Sequence, residues 1–340
     1  MGNINIDAIK NEVVRYGDRS AFDLQPAILS SEILLNRYAK PLAKVKGNWS
    51  FPSVFLGSVV QAFSDKWTPF GEAQFRNKVL KNFHQKVNFP VNPYDIYGSW
   101  EEKLYEEDKK PADMPIAKYL TDMLAKRITA ELANITITGV YDATNVGSTS
   151  PVASKSMNGL NKVVDLAVAS TTDKVFYIPV DAALLNTLPA RVDAFEKGLP
   201  QGANVPAIFM SLGEFQDYVM QRETPANEVI DYTKGYRVKS RFGRDIIGVP
   251  GLTPGRFLAW VDGNLFRLYD RKDNPAMIDD VQVQDYTMKV FIQWHLGYDF
   301  AVNQYLFVET HDADIERGLN DAEQNALYYP NEIGLVDPTP

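Results

Sequence analysis

The sequence predicts an α+β protein with one long amphipathic helix, a compact region of short elements and long strands near the C-terminus. Three observations indicate this class. Residues 114–132 carry apolar side chains at helical spacing. Residues 150–275 alternate short apolar runs with capping and turn residues. From Tyr286 to Leu296 apolar residues occupy the even positions, which is typical of a strand of about 36 Å.

Composition limits the class of protein further. The 340 residues are 45% hydrophobic and 23% charged, as in ordinary folded proteins. No apolar run approaches the ~20 residues of a membrane span, and the first twenty residues lack the apolar stretch of a secretory signal. The absence of cysteine excludes disulfides, cysteine-ligated metals and thiol nucleophiles. A net charge of -8 disfavours tight binding of nucleic acid by the whole surface.

The N-terminal hundred residues predict an arm followed by strands. Residues 1–50 hold two weak apolar segments, and residues 47–71 are aromatic-rich and broken by Pro and Gly, which indicates an extended arm that packs on another surface. Residues 75–89 alternate with strand periodicity. The odd positions include Phe75, Val79, Phe83, Val87 and Phe89, and the even positions include Arg76, Lys78, His84 and Lys86. This pattern fits an amphipathic hairpin or a surface for single-stranded nucleic acid, and the acidic net charge favours the hairpin.

The long helix is predicted to begin after an N-cap at Asp113, with Pro115 in its first turn. Its length of about twenty residues corresponds to a rod of ~30 Å. The sequence "NITITGVYDA" then alternates and predicts a strand directly after the helix. The helical stripe is formed by Ile116, Tyr119, Leu120, Met123, Leu124, Ile128 and Leu132.

The region after residue 150 predicts short helices and buried strands in alternation. Asp181 is the expected cap of a helix that Pro189 kinks or divides. Ser211 and Glu214 have the spacing of a capping box, and Asp262-Gly263 is a two-residue hairpin signal. Residues 311–340 form an acidic, proline-tipped tail that we expect to be partly mobile.

No motif for catalysis or cofactor binding occurs: phosphate-binding loops, dinucleotide fingerprints, zinc-protease helices and nucleophile elbows are all absent. His84, His295 and His311 are far apart and are interpreted as solvent-facing or satisfied. In "ETHDADIERG" the glycine falls one position late for a calcium loop, which favours a solvated acidic turn. We therefore predict no catalytic residue, metal or cofactor, and no enzyme activity.

The order of elements resembles a known family. "DMPIAKYLTDMLAKRITAELANITITGVYDA" resembles a spine helix with its following strand, and "SMNGLNKVVDLA" and "AIFMSLGEFQDYVMQR" resemble units of a capsomer-centre domain. "IIGVPGLTPGRFLAWVDGNLFRLYD" and "YTMKVFIQWHLGYDFAVNQ" resemble its closing strands and the return strand. Over roughly residues 50–310 the chain is similar to the major capsid proteins of tailed double-stranded-DNA phages, the Hong Kong ninety-seven type coat fold.

This resemblance implies a division of the chain and a structural function. The implied parts are an N-terminal arm (1–50), an arm continuation with an extended two-stranded loop (51–111), the spine helix with a first peripheral strand (112–150), a capsomer-centre α+β domain (151–275), return strands (276–310) and the tail (311–340). The implied structural spine is Ile116, Leu120, Leu124, Ile128 and Leu132. The implied contacts between subunits are Phe51, Trp67, Phe75, Lys78, Phe83, Lys86 and Phe89.

The implied partners are other copies of the chain in hexamers and pentamers, a portal protein, a separate scaffolding protein and decoration proteins. The shell would enclose double-stranded DNA without sequence-specific binding or a membrane, in a virion assembled in the host bacterial cytoplasm. A lysine–asparagine cross-link, found in some members, is not predicted. Two alternatives stay open: an encapsulin-like compartment shell, and a hydrolase or carbohydrate-binding protein using residues 151–275. For the shell, Phe83→Asp is expected to give a folded subunit that does not assemble.

Overall fold

The chain folds around two sheets and a long helix. The computed structural model describes residues 33–56, 59–71, 73–92, 116–226, 237–270, 280–284, 287–332 and 334–335. The predicted cap at Asp113, Pro115 and most of the N-terminal arm lie outside the described residues. Strands β1 (Lys40–Leu42), β2 (Asn48–Leu56), β3 (Ala73–Lys81) and β4 (Phe83–Val91) precede the long helix α1 (Ile116–Thr138).

Helix α1 is longer than the sequence indicates, and the predicted strand after it is wrong. "NITIT" continues the helix to Thr138, a length of 23 residues or about 35 Å. The helix propensity of β-branched residues is only a few tenths of a kcal/mol below that of good formers, whereas burying an isoleucine gains about 1.5–3 kcal/mol. Ile135 and Ile137 are both buried. The Thr136 and Thr138 hydroxyls donate to backbone carbonyls one turn back, so neither competes with the helix.

Strand β12 (Thr287–Phe300) is the centre of a five-stranded sheet. The predicted long strand is confirmed, and at 14 residues it extends beyond the predicted end at Leu296. It pairs antiparallel with β4 over nine residues, with β10 (Leu265–Tyr269) and with β11 (Asp280–Gln284). Strand β1 adds to β10 in parallel. The even-numbered side chains from Met288 to Leu296 are buried, and part of this face packs in one core with α1.

The second sheet has six strands in the order β5-β13-β9-β6-β8-β7. Its strands are β5 (Phe176–Pro179), β6 (Ala207–Ser211), β7 (Arg237–Lys239), β8 (Asp245–Val249), β9 (Leu258–Trp260) and β13 (Leu306–Thr310). All residues of β6 and β8 are buried because the sheet is covered on both faces. One face shares the core of α1 and α2 (Leu160–Val168), and the other packs on α3 (Leu188–Gly198) and α4 (Leu212–Ala226).

Two local predictions in this region, at Pro189 and at Ser211 with Glu214, concern residues at the starts of helices α3 and α4. Asp181 caps a 3-10 turn at Ala182–Leu184, and Pro189 lies in the first turn of a separate helix, so the chain is divided there. At the start of α4, the Glu214 amide donates to the Ser211 hydroxyl at 3.3 Å. That hydroxyl in turn donates to the Glu214 carboxylate at 2.6 Å, so the predicted pair does meet.

The hairpin predicted at Asp262-Gly263 is wrong. A turn is present, with the Asn264 amide donating to the Val261 carbonyl at 3.0 Å and Gly263 at a φ of 78°. However, β9 before the turn pairs with β6 and β13, and β10 after it pairs with β12. The chain therefore crosses from one sheet to the other at this turn.

The C-terminal tail packs on the body over the residues that the structure describes, and its predicted partial mobility stays a prediction. The Gly318 amide and carbonyl both bond with Tyr177 on β5, and Leu319 is fully buried. Helix α5 (Ala322–Tyr328) follows, and its Asp321 cap accepts from the Gln324 amide. Buried groups such as Leu319 and Tyr328 thus hold this part of the tail to the body despite its polar composition.

A close backbone contact locks the end of α1 to the start of α2. The Gly159 amide donates to the Gly139 carbonyl at 2.8 Å. A Cβ on Gly159 would lie 2.6 Å from the Ile135 carbonyl oxygen and 2.7 Å from the backbone of Ile137. Side chains of any size are excluded at this crossing.

We expect Gly159→Ala to lower the free energy of unfolding by about 1–3 kcal/mol, the usual cost of overpacking. Urea denaturation followed by circular dichroism measures this. Gly213→Ala is the matched control, because a Cβ there meets nothing within 4 Å, and it should change stability by less than ~0.5 kcal/mol. Equal effects of the two substitutions would contradict the close contact.

Candidate assembly surface

Strands β2 and β3 form a separate two-stranded hairpin whose outward face carries exposed apolar side chains among polar ones such as Ser50 and Asn77. Val54 and Phe75 are direct partners across the strands, and both are exposed, Phe75 by 80%. Val79 continues this face and is also exposed. The segment that joins the strands adds Val60, Phe63, Trp67 and Phe70, all exposed. We call this set, with Val54, Phe75 and Val79, the outward face; such a patch on a soluble chain marks an association site.

The opposite face of the hairpin carries the cations and turns toward the body. This reverses the usual arrangement, in which the charged face of an amphipathic strand meets water. The Arg76 guanidinium donates to the Asp173 carboxylate at 2.6 Å and to the Thr172 carbonyl at 3.3 Å. It also lies 5.9 Å from the centre of the Tyr328 ring. Arg76 thereby fixes the hairpin to the loop between α2 and β5 and to α5.

Lys78 fixes the hairpin to the junction of the two sheets. Its ammonium group donates to the Asp299 carboxylate at 3.2 Å, the Phe300 carbonyl at 2.5 Å and the Asn303 side-chain oxygen at 2.7 Å. All three of its donors are therefore used. Burial raises the pKa of Asp299, and the nearby Lys78 opposes that rise. Lys78, predicted as a contact between subunits, makes these contacts within its own subunit.

Two aromatic residues of β2 pack on the same side. Phe51 contacts Phe266 of β10, with ring centres 5.5 Å apart. Phe55 contacts Tyr328 of α5, with ring centres 4.3 Å apart. The hairpin therefore lies along the body with cations and aromatics inward, and the predicted contact residue Phe51 is partly covered within the subunit.

The predicted contact residues on β4 have a different position from those on β3. Because β4 pairs with β12, residues 75–89 do not form one hairpin, and the expectation that Phe83 projects from the subunit is wrong. Phe83 packs against the core, with its ring centre 4.7 Å from that of Tyr141. Lys86 is exposed opposite Gln293, and Phe89 is 38% exposed opposite Val290. Phe83→Asp should therefore damage the fold itself.

The proposed spine residues lie mostly inside. Leu120, Ile128 and Leu132 are buried, and Leu124 is partly buried against the core shared by both sheets. Ile116 begins the helix, and its side chain lies outside the described part of the chain. Met123, placed on the same stripe by its spacing, is half exposed. The spacing of residues also did not predict that Gln85 links β4 to its surroundings. Its side chain accepts a hydrogen bond from the Trp294 indole at 2.7 Å and donates one to the Ser156 hydroxyl at 2.7 Å.

Two histidines that are distant in sequence meet across β4 and β12. His84 and His295 are direct partners in the register, and their rings stack with centres 4.3 Å apart. Burial and the neighbouring His84 lower the pKa of His295 below its ordinary value, and Asp270, 3.5 Å away, opposes the shift. Lys46 adds a smaller lowering effect.

The lowered pKa of His295 predicts acid sensitivity of the subunit. The unfolded chain binds a proton at His295 more readily than the folded chain, so this contribution to stability is present above about pH 6.5 and is lost as the pH falls below it. The urea midpoint should fall between pH 7.5 and 5.5, and it should fall less in His295→Gln. An unchanged pH dependence in His295→Gln would contradict this role; His311→Gln is the control, because His311 is distant from the pair.

A buried ion network holds the six-stranded sheet to its helices. The Arg191 guanidinium on α3 makes two 2.7 Å bonds to Glu309 on β13 and one of 2.8 Å to Glu214 on α4. Its centre lies 4.1 Å from the Phe257 ring centre. Glu309, grouped with an acidic turn on sequence grounds, is fully buried and also accepts from the Phe257 amide. Sequence spacing gave no signal for this cluster because its members are far apart along the chain.

The described residues contain no grouping of three metal-binding side chains. Within the same ranges, no helix combines the length and apolarity needed to cross a membrane.

Comparison with known proteins places this geometry in a fold family. No family model and no curated protein matches the sequence. The capsid of an empty GTA particle matches with a TM-score of 0.54 and 11% identity, over 83% of this chain and 91% of that chain. The capsid of cyanophage A-1(L) matches with 0.53 and 11%, over 83% and 92%. A structure of Gordonia phage Cozz matches with 0.50 and 12%, over 83% and 87%.

These matches show a shared fold: the chain has the coat fold of phage capsid proteins, the Hong Kong ninety-seven type. The predicted fold class is confirmed. Its parts are the two-stranded hairpin β2–β3, the long helix α1, the five-stranded sheet with long strands and the compact six-stranded domain. No observation favours the encapsulin-like or the hydrolase alternative.

Proposed function

We propose that this chain is the major capsid protein of a tailed phage or a phage-like particle, and that its copies assemble into hexamers and pentamers of an icosahedral shell around double-stranded DNA. The observation that carries the proposal is the outward face of the β2–β3 hairpin. Its valines and aromatics are exposed, while the opposite face of the hairpin, with Arg76, Lys78 and Phe51, is bound to the subunit body. A lone copy therefore leaves apolar surface in water that a second copy would cover.

The fold is suited to a subunit that contacts several other copies in a shell. We propose that the six-stranded domain forms the capsomer centre and that α1 with the five-stranded sheet forms the periphery. Each contact is modest after ordering costs, but a subunit held by several neighbours gains through multivalency. In a closed symmetric assembly, the same contact surface is covered on every subunit.

The remaining partners follow from this function. We propose a portal protein, a separate scaffolding protein and decoration proteins as partners, and the virion as the location after assembly in the bacterial cytoplasm. The net charge of -8 suits a shell that encloses DNA without holding it tightly.

Negative-stain electron microscopy and size-exclusion chromatography of the expressed chain test the proposal. Closed shells or capsomers eluting far above the 38.2 kDa of one chain are expected. A monomer or small dimer at every concentration, with and without coexpressed scaffolding protein, would overturn it. An encapsulin-like compartment would instead copurify with a protein cargo and without DNA.

A further inference from the structure

A pocket of about 260 Å³ opens at the base of the hairpin, between β3, α2 and β12. Its volume falls below the ~300–1,000 Å³ of typical small-molecule sites and suits one large side chain. Its polar lining includes Lys78, Lys81, Ser170, Asp173 and Asp299. The apolar walls are Val79, Phe83, Val163, Leu166 and Ala167.

The rim of this pocket is continuous with the outward face. Val79 is both a wall of the pocket and a member of that face. Leu166 is 51% exposed at the same opening. The outward face and the pocket therefore meet at Val79, so that a partner covering the face would also reach the pocket.

The connecting segment of the hairpin carries the most exposed tryptophan of the described residues. Trp67 is 89% exposed. A tryptophan contributes about 150–250 Å² of contact area when buried, and its indole N–H then requires an acceptor. The Ser170 hydroxyl and the Asp173 carboxylate retain acceptor capacity beyond their present bonds.

Trp67 does not fill the pocket of its own subunit. The strands of the hairpin are nine residues long, which separates its two ends by about 30 Å. The pocket lies at the Lys81 end, whereas the connecting segment follows Leu56 at the opposite end. A second copy, shifted by one hairpin length, brings the two together.

We propose that Trp67 of one subunit inserts into this pocket of a neighbouring copy. This inference rests on the proposed function and names the contact through which the subunits join. The contact is head-to-tail, since the tip of one hairpin meets the base of the next, and repeated contacts of this kind close into rings. Phe63 and Phe70 are the other exposed aromatic residues of the segment, but their rings carry no polar group that could bond with the polar lining of the pocket.

Cysteine cross-linking tests the contact without background, because the chain has no cysteine. One chain carries Lys66→Cys beside Trp67, and a second chain, with a different tag, carries Lys81→Cys at the pocket. The two are coexpressed, assemblies are isolated, and a short bis-maleimide is added. The matched control replaces Lys81→Cys by Lys197→Cys, an exposed lysine on α3. We expect at least about tenfold more linked heterodimer for the pocket pair, from the raised effective concentration.

Adding Trp67→Ala to the Lys66→Cys chain should lower the heterodimer yield about tenfold, as for a central hot-spot residue. If shells form and the pocket pair does not exceed the control, the Trp67 contact is overturned and the shell function stands. If Ala62→Cys links to the pocket and Lys66→Cys does not, Phe63 is the occupant and the assignment to Trp67 is overturned. If no assemblies larger than a dimer form at all, both the proposed function and the proposed Trp67 contact are contradicted.

Discussion

Arg191→Met should lower the free energy of unfolding of the subunit by about 3–5 kcal/mol, the cost of leaving a buried charge without its partner. Arg191 is 1% exposed and Glu309 is 4% exposed. Methionine fills most of the volume, but the Glu309 carboxylate then keeps only the Phe257 amide as a close donor from this cluster. Urea denaturation of the dissociated subunit, monitored by circular dichroism, measures the loss.

The control is Arg241→Met, which removes an exposed ion pair with Asp193 at 3.1 Å. Such pairs contribute roughly 0–1 kcal/mol. Should Arg191→Met prove too unstable to purify, Arg191→Lys tests the same network, since lysine keeps the charge but cannot make the two-pronged bond. The double variant Arg191→Met with Glu309→Gln should recover part of the loss. Similar costs for Arg191→Met and Arg241→Met would show that the network contributes little.

Sequence reasoning predicted the elements whose periodicity is strong. Strand β12 alternates over its whole length, and α2, β5 and β6 are short apolar units bounded by turn or capping residues. The order of these elements was sufficient for the fold class. Local spacing thus gave reliable information where one face of an element meets the core and the other does not.

Partners distant in sequence were not predictable in the same way. "NITIT" has strand propensity, but its isoleucines are buried on a helix that already runs between the two sheets. The turn at Asp262-Gly263 has hairpin residues, yet the flanking strands pair elsewhere. In both cases tertiary packing outweighs a local preference of a few tenths of a kcal/mol per residue.

The candidate assembly surface shows the same limit. The alternation of residues 75–89 correctly predicted strand structure. It did not predict that the odd-numbered side chains, which point outward on β3, point toward the core after Asn82. On β3 the cations face the body and Phe75 faces outward, whereas on β4 Phe83 faces the core. The Asn82 amide group bonds with Gly47 and Val45 at the turn between the two strands. The alternation pattern does not show which sheet each strand joins. Which residues form the outward face depends on that pairing, because β3 pairs with β2 and β4 pairs with β12.

Phe75→Asp should abolish assembly and leave the subunit folded. Phe75 lies at the centre of the outward face and is 80% exposed, so its loss should change the free energy of unfolding by less than ~0.5 kcal/mol. A charge at that position would be buried without a partner at every copy of the interface, a cost of several kcal/mol per contact. Light scattering and negative-stain microscopy report assembly, and circular dichroism with urea reports the fold.

Two controls separate the role of Phe75 from general effects of a new charge. Lys126→Asp places an aspartate on the exposed side of α1, away from the hairpin, and should assemble normally. Phe83→Asp places one beside Tyr141, where Phe83 is partly buried against the core, and should lower stability by about 2 kcal/mol or more, so that its failure to assemble follows from the damaged fold. Normal shells from Phe75→Asp would show that the outward face is not the contact between copies. Unfolding by Phe75→Asp would show instead that this face is covered within the subunit.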